Sequence, residues 1–131
     1  DLIVATSHLP EGQRTNGGVL RLVRLDRQGE KMWDHTVEAR SGLQVNGLFL
    51  VKRGIIVAGV EQGETPWVAR IDTSGTLVWE RRFEALRSGR ADTIVERGRG
   101  HMLVAGRIGR DDARKQDGLL LFLDRSGRPE E

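Results

Sequence analysis

One pattern occurs three times in this chain, and an internal repeat constrains a fold more than any single residue does. Its fullest copy is Trp67-Val-Ala-Arg-Ile-Asp72-Thr-Ser-Gly75-Thr-Leu-Val-Trp79. Leu22-Val-Arg-Leu-Asp26-Arg-Gln-Gly29-Glu-Lys-Met-Trp33 is a second copy, and Leu120-Leu-Phe-Leu-Asp124-Arg-Ser-Gly127 begins a third. The aspartates are 46 and 52 residues apart. A second element recurs with them, as Leu2-Ile-Val-Ala5, Ile55-Ile-Val-Ala58 and Met102-Leu-Val-Ala105. The distance from Asp26 to Val57 is 31 residues and from Asp72 to Val104 is 32, whereas the valine-to-aspartate distance runs 22, 15 and 20. The length variation therefore falls in one loop per repeat.

A period near 45–50 residues built from strand-like pieces belongs to propeller blades rather than helical solenoids. Each repeat reads as four strands, A innermost to D outermost. In the complete copy these are about Asn46–Lys52, Ile55–Val60, Trp67–Asp72 and Thr76–Phe83. Arg53-Gly54 and Gly98-Arg99-Gly100 supply the A–B turns. Asp-x-x-Gly supplies the C–D turn: the carboxylate accepts backbone N–H groups, and glycine takes the positive φ that closes the hairpin. Asp26, Gly29, Asp72, Gly75, Asp124 and Gly127 are accordingly structural residues. Strand B is apolar without interruption and strand C nearly so, which predicts a sheet covered on both faces, as in blades stacked radially. Arg24 and Arg70 interrupt strand C two residues before the aspartate; Phe122 takes that place in the third copy. An arginine stem packed between blades, its head at the rim, accounts for them.

The fold class expected is thus all-β, a propeller-like array of about three four-stranded antiparallel blades. The blades divide near 1–44, 45–91 and 92–131, with strands BCD, ABCD and ABC. Propellers close with 4–8 blades. The array is therefore expected to be a piece of a longer propeller, or to be completed by a second copy or another protein. The flanks expected to be left bare carry Leu2, Val4 and Leu22 at one end and Met102, Val104, Leu121 and Leu123 at the other.

Val68-Ala-Arg-Ile-Asp72-Thr-Ser-Gly75-Thr-Leu-Val-Trp79 resembles the repeat of bacterial extracytoplasmic β-propellers. It looks like the tryptophan-containing blades of quinoprotein-like propellers, a group that includes pyrroloquinoline-quinone dehydrogenases and an outer-membrane assembly scaffold. Those usually place one more residue between Asp and Gly; the shorter turn is closer to a related class of secreted bacterial propellers. The resemblance implies a periplasmic or secreted protein. It also implies that Trp33 and Trp79 dock against the neighbouring blade. Trp67, at the start of strand C, takes no role from it.

Composition narrows the chemistry. Net charge is +2, so there is no strong nucleic-acid footprint, and no apolar run reaches the length of a membrane span. With no cysteine there is no disulfide framework. His8, His35 and His101 lack zinc-site spacing. Asp111, Asp112 and Asp117 are interleaved with Arg110, Arg114 and Lys115, without a calcium-loop pattern. No nucleophile motif or phosphate-cradling glycine loop occurs, so neither metal nor cofactor is expected.

The variable segments Ser7–Gly18, Glu38–Val45, Glu84–Ala91 and Ile108–Asp117 all emerge at one end of such an array, where recognition usually sits. They carry Arg14, Arg40, Arg87, Arg90, Arg110 and Arg114 as candidate binding residues, with Trp67 and Arg107 nearby. The leading expectation is a non-catalytic binding or scaffold module. A lectin using Trp67 with Arg107 or Arg110 against a glycan is one alternative; a fragment of a larger propeller enzyme is another.

Overall fold

The computed structural model describes residues 2–8, 19–37, 43–62, 64–86, 88–109 and 116–130. These residues form an all-β protein. The strands are β1 (Leu2–His8), β2 (Val19–Leu25), β3 (Lys31–Val37), β4 (Leu43–Val51), β5 (Gly54–Glu61), β6 (Thr65–Ile71), β7 (Leu77–Arg82), β8 (Gly89–Gly98), β9 (His101–Gly109) and β10 (Gln116–Leu123). Among the described residues a single 3-10 turn, Glu84–Leu86, interrupts them. The strands build three antiparallel sheets in simple sequence order: β1-β2-β3, β4-β5-β6-β7 and β8-β9-β10.

The second sheet is sandwiched between the other two, which is why β5 reads as an unbroken apolar run. Strand side chains alternate faces. Ile55 and Val57 of β5, with Trp67, Ala69 and Ile71 of β6, form a core with Leu20 and Leu22 of the first sheet. Ile56 and Ala58, with Val68, form another with Ala91, Ile94, Met102, Val104 and Leu123 of the third sheet.

The phase of this alternation corrects the expected flanks. Leu22, Met102, Val104 and Leu123 are buried, and Leu121 packs beside the last three. The outer face of the third sheet instead presents Val95, Leu120 and Phe122, 58%, 61% and 45% exposed, with the half-buried Leu103 and Ala105. On the first sheet the outer face carries half-buried Val23 and Leu25. The side chains of Leu2 and Val4 lie outside the described ones.

Every sheet shows its neighbours the same two faces. Leu22, Val68 and Leu120 are equivalent in the repeat and all lie on the face turned toward the following sheet, or outward in the third. Val23, Ala69 and Leu121 are equivalent on the opposite face. The third sheet also begins a fourth strand in the register of the other two. Leu123 pairs with Pro129 as Leu25 pairs with Lys31 and Ile71 with Leu77.

Candidate functional site

The three Asp-x-x-Gly turns have one geometry. In the second, Asp72 Oδ1 accepts from the backbone N–H of Ser74 and of Thr76, both at 2.9 Å, and from the Ser74 hydroxyl at 2.6 Å. Asp124 does the same with Ser126 (2.8 Å), Arg128 (3.0 Å) and the Ser126 hydroxyl (2.7 Å). Asp26 accepts from Gln28 and Glu30, each at 2.9 Å. The glycines sit at φ +86°, +89° and +78°. Hydrogen bonds from these serine hydroxyls, followed by the turn amides, hold the Asp72 and Asp124 carboxyls below the ordinary aspartate value.

Two of these turns receive a tryptophan from the preceding sheet. Trp33 Nε1 donates to the Thr73 carbonyl at 3.0 Å, and Trp79 Nε1 donates to the Arg125 carbonyl at 3.2 Å. Both acceptors are the residue after the turn aspartate. Arg24 Nη1 adds a bond to the Thr73 carbonyl at 3.1 Å, so its stem lies between sheets with its head at the turn. Arg70 turns its head to the Lys52 carbonyl of its own sheet, 3.1 Å away.

At the opposite end, where the variable segments emerge, Arg14, Arg40, Arg87, Arg110 and Arg114 lie outside the described residues. Arg90 and Arg107 are brought together by Asp92: Arg90 Nε lies 3.0 Å from Oδ1, and Arg107 Nε donates to Oδ2 at 3.4 Å. Arg107 also donates to Gln116 at 3.3 Å. Asn46 ties this group to the second sheet through the Ala91 carbonyl, at 3.0 Å. Asn46 and Asp92 occupy matching β-bulges on β4 and β8, where the pairing skips from Val45 to Gly47 and from Ala91 to Thr93. The cause lies on the adjacent strands. Gly59 and Gly106 let the Gln44 and Arg90 carbonyls approach to where a Cβ would stand. Bulges re-aim side chains in this way. Sequence reasoning missed Asn46 and Asp92; the signal was a glycine at the same place in two strands.

Trp67 is corrected. It is 2% exposed, on the β6 face that meets the first sheet, and its Nε1 donates to Glu80 at 3.1 Å. Glu80 and Glu61 both pair with Arg82, and the bond that Arg82 donates to Glu61 is the main cause raising the Arg82 guanidinium above its ordinary value. A tryptophan inside this network is not available to stack on a sugar. Among the described residues, no group of three or more His, Asp or Glu is placed to hold a metal ion. Nor, among the described residues, is any helix long and apolar enough to cross a membrane. No family model matches the chain, and no curated protein matches its sequence.

Proposed function

We propose that the chain is a non-catalytic binding or scaffold module of the β-propeller type, its three sheets acting as blades in the bacterial envelope or outside the cell. The observation that carries this reading is the docking of Trp33 and Trp79 onto the turn of the next sheet, twice in the same direction and on the same backbone atom. A contact that repeats head-to-tail either closes into a ring or runs on. The ring is completed by a second copy of the chain or by a protein partner. The paired charges around Asp92 fit a stable rim better than a reaction centre, because both arginine heads already have a carboxylate partner.

The equivalence of faces supports completion by a second copy. Leu103, Ala105 and Leu120 on the open outer face of the third sheet correspond to Ile56, Ala58 and Val68, which meet the third sheet inside the molecule. Val23 and Leu25 on the other open face correspond to Leu121 and Leu123.

Absence of cysteine makes the test clean. Val23→Cys and Leu120→Cys chains, mixed and treated with a short thiol-to-thiol crosslinker, are expected to give a covalent dimer. Each variant alone is expected to stay monomeric on a denaturing gel. Efficient crosslinking of either variant with itself, and none in the mixture, contradicts head-to-tail association.

A further inference from the structure

We propose that the depression between the turn ends of the second and third sheets binds a compact polyvalent anion, a ligand with two or more clustered phosphate groups. This open depression, of about 420 Å³, is lined by Lys52, Arg53, Arg70, Arg99, Arg125 and a single carboxylate, Glu96. It lies wholly within one chain, so it does not depend on how the array is completed.

The positions of these groups are set by backbone contacts. Arg70 is anchored on the Lys52 carbonyl at 3.1 Å. Glu96 accepts from the Lys52 backbone N–H at 3.4 Å rather than from a guanidinium. The Arg125 backbone is held by the Trp79 indole at 3.2 Å. No hydrogen bond or ion pair among the described residues engages the side-chain heads of Arg53, Arg99 or Arg125. This is the reverse of the far end of the sheets, where Arg90 and Arg107 share Asp92. Several cations facing one depression with one carboxylate among them repel each other until an anion enters. Guanidinium forks arriving from two sheets suit phosphate oxygens, which accept from several directions at once.

The backbone points the same way independently. Arg53 is the second residue of the loop Lys52-Arg53 and Arg99 the first of the loop Arg99-Gly100, and both are in the left-handed region, at φ +66° and +53°. Tight hairpins favour asparagine or glycine at such places, and a long side chain there is strained. Gln62 and Ser88 share this conformation, but of the described non-glycine residues with positive φ, Arg53 and Arg99 are the two whose side chains line the depression, one from each hairpin.

The test uses inorganic tripolyphosphate as probe, measured by calorimetry on the 131-residue chain in low salt. Binding is expected, at least tenfold tighter than inorganic monophosphate, and weaker as salt is raised. Arg53→Gly and Arg99→Gly are each expected to weaken it about tenfold, while melting no lower than the parent because glycine relieves the strain. Arg125→Gln is expected to weaken it as well. A second arm uses vesicles containing phosphatidylinositol bisphosphate: co-sedimentation assigns the phosphates to a lipid headgroup, and tripolyphosphate binding without co-sedimentation assigns them to a soluble ligand. No binding of tripolyphosphate, equal affinity for monophosphate, or glycine variants that bind like the parent or melt lower would each overturn the proposal.

Discussion

The turn at Asp26–Gly29 and the turns at Asp72–Gly75 and Asp124–Gly127 are the same object in different company. All three share the aspartate bonds, the i-to-i+3 backbone bond of 2.9–3.1 Å and the positive-φ glycine. Gly29 is exposed, and a Cβ there would meet nothing within 4 Å. Gly75 is buried beneath the His35 ring and Gly127 beneath the Trp79 ring. Turn geometry is therefore local, dictated by Asp-x-x-Gly alone, and docking is an addition made by the sheet before. The first turn, with no ring packed over Gly29 among the described residues, shows the same geometry undocked.

Substitutions can break this distinction. The largest effect is expected from Gly75→Ala and Gly127→Ala, which combine left-handed strain with overlap of a packed ring and should cost roughly 2–4 kcal/mol in denaturant melts. Trp79→Ala, removing a half-buried indole and its bond to Arg125, should cost about 2 kcal/mol. Trp33→Phe keeps most of the ring and loses only the bond to Thr73, for about 1 kcal/mol. Gly29→Ala has strain without overlap and should cost about 1 kcal/mol. If Gly29→Ala destabilised the protein as much as Gly75→Ala, docking would contribute nothing to the difference.

Acid sharpens the comparison with a smaller effect. The Asp72 and Asp124 carboxyls are held below the ordinary 3.8 by their turn bonds, and Asp34 is brought to about 2, chiefly by its bond from Arg21. A group whose value is lower in the folded state stabilises the fold above its unfolded value and loses that contribution as pH falls through the folded one. Melting temperature is thus expected to drop as pH falls from about 4 toward 2, and less steeply in Asp72→Asn.

Much of this arrangement was legible because the repeat aligned residues with one physical task. The turns, the two-sided second sheet and the equivalence of Trp33 with Trp79 follow from spacing and from the unbroken Ile55–Val60 run. What a continuous apolar run conceals is its phase. Val104 and Leu103 are adjacent and equally apolar, and only the path of the neighbouring sheet decides that the first is buried and the second faces out. Trp67 was misplaced for the same reason, since a tryptophan at a strand start carries no mark of its partner Glu80. The basic depression escaped notice because Arg53 and Arg99 stand in turns whose shortness looks purely structural. Their meeting with Arg70 and Arg125 depends on two sheets being side by side.

Head-to-tail stacking with two open apolar faces is the central claim, and sedimentation equilibrium of the 131-residue chain at micromolar concentration tests it most directly. An exposed sheet face carrying Val95, Leu103, Leu120 and Phe122 is not expected to stay in water. The expected result is a species of twice the 14.6 kDa chain mass, two copies supplying six sheets, a number that closes a ring. A folded, soluble monomer of 14.6 kDa would contradict it.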